Sequence, residues 1–275
     1  MKKPSRRAAL EAEELLFAGR YLESMTVIRS ERQVATARER SSKRVRRHLD
    51  IPLETWRKIA DSDSIGDSLY NLGAYVWAEE NELLGIAILR CADESGSDEA
   101  SAALGEALVW MQQPADAKTP LEKAIEKRTG DWRRAAGFLG SVLLAESDSN
   151  IGEVIAFFRI ASESGSRHDD RFGVDFGKAL IRGCFFEEAK NVLESESDVG
   201  NSLAPIALGN LLQDHFGDNH GADLAYRRGL ELGDGHSAYN LSLLLKMTGS
   251  MAESAQMLRR AAKLGVGGHG WPCKK

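Results

Sequence analysis

Cysteine, proline and long apolar runs are all scarce in this chain of 275 residues. Its three cysteines, Cys91, Cys184 and Cys273, are widely spaced and form no Cys-x-x-Cys pair, which argues against a disulfide framework and against a structural zinc site. Glutamates interrupt the apolar stretch that an export signal would need after the basic start. No run approaches the roughly 18 apolar residues of a membrane span. We therefore predict reduced thiols, no membrane association and a cytoplasmic protein.

Motifs that carry catalysis are also lacking. The sequence contains no G-x-S-x-G, no phosphate-binding glycine loop, no H-E-x-x-H and no zinc-ligand spacing. His215 and His220 lie near Asp214 and Asp218, but "DHFGDNHGAD" has the composition of a turn between two helices. We therefore predict a protein that is not an enzyme, with no catalytic residue, no cofactor and no metal ion.

Glycine, by contrast, is plentiful and periodic. Among the 26 glycines, six recur at steps of 32 to 35 residues: Gly96, Gly130, Gly165, Gly200, Gly233 and Gly265. Midway between them an apolar residue is followed by a small one, usually as Leu-Gly, at positions 72–73, 104–105, 139–140, 176–177, 208–209 and 241–242. Glycine ends a helix readily because it adopts the left-handed conformation without a steric cost. Each unit is therefore predicted to contain two helices, the second of which ends at the periodic glycine.

The glycine of each Leu-Gly pair falls inside a helix, where it costs about 1 kcal/mol relative to alanine. The second helices carry small residues at matching spacing, as at Ala117 and Ala124, with a bulky residue between them. We expect close approach of the paired helices to offset the cost, with the bulky residue filling the adjoining space. These bulky residues are Leu89, Leu121, Leu193, Tyr226 and Leu258. One apolar flank of each hairpin stays uncovered, so the hairpins must stack.

The period, the Leu-Gly pair and the spacing of Ala117, Leu121 and Ala124 resemble the tetratricopeptide repeat, and several junctions resemble its Sel-one-like branch. The resemblance implies an all-α fold, a right-handed α-solenoid of about six stacked helical hairpins. We divide the chain into a basic helical segment with a degenerate repeat (1–60), an acidic connector (61–66), the solenoid (67–268) and a flexible tail (269–275).

In this family the first helices line a concave groove that holds a peptide or a partner helix. The resemblance therefore implies a protein-interaction scaffold or adaptor. The corresponding groove positions are Tyr70, Trp77, Trp110, Arg134, Arg171, Lys178, Arg182, Asn210, Gln213 and Tyr239. Lys178 and Asn210 are similar to carboxylate-binding residues of chaperone-binding members, although the rest of that set is not matched.

The four cations among the groove positions predict a patch for an acidic or carboxylate-bearing partner. The alternative is that these cations are solvated or paired with neighbours such as Asp169, Asp170 and Asp175. Trp77 and Trp110 either grip a peptide or pack between hairpins.

Charge is distributed unevenly along the chain. Residues 1–60 hold 15 Lys and Arg against 8 Asp and Glu, whereas the remainder holds 21 against 33. The segment 29–47 alone has eight Lys and Arg, and it predicts a basic helix. Three interpretations stay open: docking on the acidic repeats of its own copy or of another copy, contact with nucleic-acid phosphates, or plain solvation. Docking on another copy would make a homo-oligomer. The candidate contacts of the basic helix are Arg38, Arg40, Lys43, Arg44, Arg46 and Arg47. The alternative function is thus a nucleic-acid-associated regulator whose repeats sense or bind a partner.

Overall fold

A computed structural model describes residues 64–79, 81–163 and 171–266 of the chain. Within these ranges there are twelve α-helices and no strand. They are α1 (Ile65–Ala78), α2 (Glu82–Glu94), α3 (Ala100–Trp110), α4 (Pro114–Lys127), α5 (Trp132–Leu144), α6 (Ile151–Ser162), α7 (Arg171–Arg182), α8 (Phe186–Asp198), α9 (Ala204–Phe216), α10 (Asn219–Glu231), α11 (Gly235–Met247) and α12 (Met251–Lys263). None of these helices combines the length and the apolar character that crossing a membrane requires.

The helices belong to two compact units. The first unit contains α1 to α4, α5 as far as Val142, and the end of α6 from Ile160; the second contains Leu143 to Arg159 and α7 to α12. Five consecutive pairs pack as hairpins: α1 with α2, α3 with α4, α7 with α8, α9 with α10, and α11 with α12. The second helix of a hairpin also packs against the first helix of the next between α2 and α3, between α8 and α9, and between α10 and α11. These are the stacked helical hairpins that the glycine period predicts.

Close packing inside a hairpin is clear between α3 and α4. Gly105 is buried, and a methyl group added to it would lie 2.5 Å from Cγ and Cδ2 of Leu121, well inside van der Waals contact. Leu121 is itself fully buried, as are Ala117 and Ala124 on either side of it. The predicted close approach is therefore confirmed here. The bulky leucine occupies the space that a side chain at Gly105 would take.

The second helix of a hairpin usually ends at the periodic glycine, as α2 does. Gly96 has φ 81° and donates its N–H to the Asp93 carbonyl at 3.2 Å, while Ser97 donates to the Ala92 carbonyl at 3.1 Å. This pair of bonds is a Schellman motif, which satisfies the last carbonyls of the helix. The prediction that the periodic glycine ends the second helix is confirmed at Gly96, and also at Gly200, Gly233 and Gly265.

Helix α4 ends differently. Its left-handed residue is Arg128, with φ 54°, and the next residue, Thr129, donates to the Ala124 carbonyl at 3.1 Å. Gly130 has φ 57° but lies in the turn after the helix. The prediction that Gly130 ends this helix is therefore wrong by two residues, because the chain closes the helix before reaching the glycine. The corresponding Gly165 lies outside the described residues.

The core of the second unit extends from α6 to α12. Phe158 packs against Phe176 with ring centroids 5.9 Å apart, and Leu193 and Tyr226 continue this core as buried side chains. At the other end Leu258 is 51% exposed. The prediction that Leu258 fills a buried space is wrong, because no described helix follows α12 and only the side of α12 with Met257 and Ala261 is covered.

Candidate peptide-binding surfaces

The groove residues expected from the sequence all lie on α1, α3, α5, α7, α9 and α11, and they divide between the two units. The first unit contains Tyr70, Trp77, Trp110 and Arg134, and the second contains Arg171, Lys178, Arg182, Asn210, Gln213 and Tyr239. In the first unit α1 packs beside α3, and in the second α9 packs beside both α7 and α11. Each unit therefore presents a candidate surface of its own.

Glu106 lies at the centre of the first unit's surface. Its Oε1 accepts a hydrogen bond from Nε1 of Trp110 at 3.4 Å and pairs with Nη2 of Arg134 at 2.8 Å. The Arg134 guanidinium also lies over the Phe138 ring, 5.6 Å from its centroid. Arg134 was predicted to contribute to an anion-binding patch, but in this unit it is held by a carboxylate.

The surroundings of Tyr70 are acidic. Burial raises the pKa of its phenol, and the charges of Glu99, Glu106 and Asp131 raise it further. Glu99 and Asp131 are exposed and form no ion pair in the part of the chain that the structure describes. Trp110, half exposed, extends the same surface. We call the surface formed by Tyr70, Glu99, Glu106, Trp110 and Asp131 the acidic face.

Trp77 serves mainly to pack α1 against α2. A methyl group added to Gly85 would lie 2.6 Å from Cβ of Trp77, so the two helices meet at this pair. Nε1 of Trp77 is buried and has no hydrogen-bond partner among the described residues. Of the two interpretations of Trp77, packing within the repeat is therefore the better supported, whereas Trp110 is half exposed.

The second unit places its three predicted cations on α7. Arg171, Lys178 and Arg182 are spaced at i, i+7 and i+11, which is one face of a helix. Nζ of Lys178 lies 3.2 Å from a carboxylate oxygen of Asp175, and Nη1 of Arg182 donates to the Leu144 carbonyl at 2.8 Å. Both side chains remain exposed, so a partner's carboxylate could exchange with these surface contacts.

The predicted groove residues Asn210 and Gln213 belong to a hydrogen-bonded cluster. Oδ1 of Asn210 accepts from the Tyr226 hydroxyl and from Nδ2 of Asn240, both at 2.8 Å. Oε1 of Gln213 lies 3.3 Å from the same hydroxyl. We call Asn210, Gln213, Tyr226 and Asn240 the amide cluster. It fixes the Asn210 amide with its nitrogen free of any bond to a described residue, so that nitrogen can donate to a ligand.

Burial raises the pKa of Tyr226 to about 12, the charge of Asp214 raises it too, and the bond with Asn240 opposes the shift. Tyr226 is 1% exposed and its ring packs against Gly209, so that the position of its hydroxyl is fixed by the core. The phenol is therefore a fixed neutral donor at ordinary pH.

Apolar side chains border the amide cluster on α11. Leu243 and Met247 are 43% and 73% exposed, and Nε2 of Gln213 lies 3.8 Å from the sulfur of Met247. Tyr239, predicted as a groove residue, is partly buried against the core. The second unit therefore combines cations, fixed amides and exposed apolar groups on three neighbouring helices.

Several residues of these surfaces were missed at the level of sequence. Glu99 and Glu106 are spaced at i and i+7, a signal that could have placed them on one face, but Asp131 joins them only through the packing of α5. Tyr226 was expected only to fill space, and Asn240 was not singled out. Their roles depend on contacts between residues 16 and 30 positions apart.

Two other predicted features have clear positions. In "DHFGDNHGAD", Gly217 has φ 65°, and Asp218 caps α10 by accepting the Gly221 N–H at 2.8 Å, so the predicted turn is confirmed. His215 stacks on Phe186 with centroids 4.0 Å apart. The basic candidates Arg38, Arg40, Lys43, Arg44, Arg46 and Arg47 lie outside the described residues, as does the side chain of Arg171.

A polar cleft of about 330 Å³ lies elsewhere in the first unit, between α2, α3 and α4. Lys123 crosses it to Asp93, with Nζ 2.7 Å from Oδ1, and Ser101 donates to the same carboxylate. Because these groups satisfy one another, we assign no ligand to this cleft.

Solved structures share the fold. The Pseudomonas aeruginosa protein PilF is 19% identical and has a TM-score of 0.57, covering 72% of this chain and 91% of its own. A Sel1 repeat protein from Oxalobacter formigenes is 18% identical with a TM-score of 0.50, covering 71% of this chain and 84% of its own. The APC/C hetero-tetramer Cut9-Hcn1 gives 12% identity and a TM-score of 0.56, covering 92% of this chain and 52% of that one.

No family model and no curated protein sequence matches the chain. The structural likeness nevertheless shows that the chain has the α-solenoid fold of tetratricopeptide and Sel1-like repeats. The resemblance inferred from the glycine period is thereby confirmed at the level of fold.

Proposed function

We propose that the protein is a non-catalytic interaction scaffold or adaptor whose second unit binds an extended protein segment across α7, α9 and α11. The observation that carries this proposal is the amide cluster. Asn210 is exposed, its oxygen is occupied by Tyr226 and Asn240, and its nitrogen is left as an oriented donor. A peptide carbonyl or carboxylate is the natural acceptor, and a donor already held in place loses little entropy on binding.

The charges on α7 favour an acidic or carboxylate-bearing segment. Lys178 and Arg182 are exposed one turn apart on α7, so a carboxylate lying across this face would meet charge-assisted donors. Leu243 and Met247 offer an apolar contact beyond the amides. A fitting segment therefore has acidic residues at one end and a hydrophobic side chain at the other.

The fold supports a role in protein binding. Stacked helical hairpins present their side chains on extended surfaces, and such repeats use these surfaces for recognition. One of the structures with this fold was solved as a hetero-tetramer of two different proteins, Cut9 and Hcn1. We propose that this chain also binds a protein partner, whose identity the comparison does not give.

A display selection of random peptides on the intact chain tests the proposal. We expect the selected peptides to be rich in Asp and Glu, and Asn210→Ala and Lys178→Glu each to weaken their binding about tenfold, which is about 1.4 kcal/mol. Arg228→Glu is the matched control, because it makes the same charge change on the exposed surface of α10. Equal binding by all four proteins would contradict the proposal. A turnover activity lost on replacing one side chain would contradict its non-catalytic part.

The nucleic-acid alternative stays a prediction. It rests on the eight Lys and Arg of residues 29–47, which could neutralise phosphates. If it holds, the intact chain binds DNA or RNA in a salt-sensitive manner and loses that binding when residues 1–60 are deleted. No binding by the intact chain, or binding that survives the deletion, would exclude it.

A further inference from the structure

We propose that the acidic face of the first unit is the docking site of the chain's own basic segment, residues 29–47, bound within the same molecule. This proposal concerns a different unit from the peptide-binding surface above and does not depend on it. It selects one of the three interpretations of the basic segment that the sequence leaves open.

Charge is the first argument. Glu99 and Asp131 are exposed carboxylates without an ion pair among the described residues, and Glu106 between them shares its charge with Arg134. The described helices around this face are acidic, since residues 64–142 hold 13 Asp and Glu against 7 Lys and Arg. The basic segment holds eight cations against two glutamates. Opposite potentials of this size attract, and the attraction weakens as salt is added.

The chemistry of the acidic face also suits arginine in particular. Seven of the eight cations in the segment are arginine. A guanidinium binds a carboxylate through two parallel hydrogen bonds and stacks on an aromatic ring, whereas an ammonium does neither as well. The acidic face offers both contacts, because the half-exposed Trp110 is hydrogen-bonded to Glu106, and a methyl group added to Gly130, the residue before Asp131, would lie 3.1 Å from Oε2 of Glu99. Arg134 over Phe138 is an internal example of this geometry.

The position of Ser64, the first described residue, is the third argument. Ser64 caps α1, and Gly66 packs against the backbone of Ser97, two residues before Glu99. Sixteen residues separate Arg47 from Ser64, enough to span about 55 Å when extended. Helix α1, with 14 residues, is only about 21 Å long. The segment can therefore reach any part of the acidic face, and its tether gives it a high effective concentration there.

Docking has a functional consequence. While the segment is bound, its arginines are occupied and cannot neutralise phosphates of a nucleic acid. Binding to DNA or RNA would then compete with the acidic face for the same side chains. Neutralising the acidic face should therefore increase any such binding.

Limited trypsin digestion of the full chain tests the docking. We expect slow cleavage within residues 29–47 at 50 mM salt and at least fivefold faster cleavage at 500 mM salt. The variant E99Q/D131N should be cleaved rapidly at both salt concentrations. The control E187Q/D198N removes two exposed carboxylates from α8 of the second unit and should behave like the unmodified protein. Circular dichroism establishes that each variant has folded. Equal cleavage rates in the unmodified protein and E99Q/D131N would overturn the proposal.

A carbodiimide cross-link identifies the contact. Lys43 is the one lysine in the segment, so a link from it to Glu99 or Asp131 can be assigned by mass spectrometry. Mixing ¹⁵N-labelled and unlabelled protein then separates links within a molecule from links between molecules. We expect links within one molecule to dominate. Links only between molecules would show docking on a second copy and overturn the proposal, as would the absence of links to these carboxylates.

Discussion

The phenol of Tyr226 in α10 donates its hydrogen bond to Asn210 in α9 over 2.8 Å. This bond joins the core of a hairpin to its surface, because the ring of Tyr226 is buried whereas Asn210 is exposed. A core residue thereby orients a candidate binding residue. Packing and recognition are coupled at this position, so a change in the core should alter the affinity for a ligand.

Removing the hydroxyl should measure that coupling. Tyr226→Phe keeps the ring but leaves Oδ1 of Asn210 with Asn240 alone. We expect the free energy of unfolding to fall by about 1 kcal/mol, the usual net value of such a bond, and the binding of selected peptides to weaken. Urea denaturation measures the first effect. Tyr239→Phe is the control, since the Tyr239 hydroxyl makes no hydrogen bond to a described residue, and an equal loss in both variants would contradict the assignment.

Alkaline pH should act on the same group. Folding raises the pKa of Tyr226 to about 12, above its ordinary value near 10, so the folded state favours the neutral phenol. The contribution of this phenol to the free energy of unfolding is complete below pH 10. It is lost as the pH rises from 10 to 12, by up to about 2 to 3 kcal/mol. Urea unfolding between pH 9 and 12 should therefore show the unmodified protein losing stability faster than Tyr226→Phe. Parallel pH profiles of the two proteins would contradict this expectation.

Helix pairing was predictable from the sequence because its cause is local. A glycine inside a helix costs stability unless a side chain of a neighbouring helix fills the space beside it. Its repetition at constant phase already indicated such close contact. The structure adds which side chain needs the space, as Leu121 does at Gly105. The end of α4 was not predictable in the same way, since Arg128 adopts the left-handed conformation with a glycine only two residues away.

Filling that space should destabilise the hairpin. Gly105→Ala improves helix propensity by about 1 kcal/mol, yet we expect a net loss of about 1 to 2 kcal/mol from overpacking against Leu121. Adding Leu121→Ala should cost less in this variant than in the unmodified protein, because the two changes share one contact. Gly140→Leu, at the same repeat position in α5, should also destabilise. Gly152→Ala is the control, because Gly152 is exposed and its replacement should leave stability nearly unchanged. A higher melting temperature for Gly105→Ala would refute the packing argument.

Two turns between paired helices contain a strained residue. Gln112 and Cys184 have φ 56° and 63°, whereas the corresponding turns after α9 and α11 use Gly217 and Gly249. Left-handed backbone costs a non-glycine residue about 1 kcal/mol or more. We therefore expect Gln112→Gly and Cys184→Gly each to stabilise the protein by about 0.5 to 1 kcal/mol in urea denaturation. Gly249→Ala should have the opposite sign, and stabilisation by that change would contradict the account.

The charged surfaces were harder to predict than the fold. The sequence predicts Arg134 as a groove residue, but its pairing with Glu106 brings together residues 28 positions apart. The charge of the first unit's surface therefore depends on the ion pair between α3 and α5. In the second unit, Lys178, Arg182 and Asn210 were expected on neighbouring first helices, and α7 and α9 do pack side by side. Helical phase thus places residues on neighbouring helices, but it does not tell which of them neutralise one another.

A leucine at the same repeat position should contribute less to stability at the exposed end of the repeat array than in its interior. Leu121 and Leu258 occupy the same repeat position, but Leu121 is fully buried and Leu258 is 51% exposed. Leu121→Ala should therefore cost about 2 to 5 kcal/mol, since it removes core contacts and leaves a cavity. Leu258→Ala should cost less than about 1 kcal/mol, because half of its surface already faces solvent and water can enter the space. Urea denaturation of both variants under one condition gives the comparison. A loss at Leu258 as large as that at Leu121 would mean that another part of the chain covers α12, because only a covered leucine leaves a cavity when it is truncated.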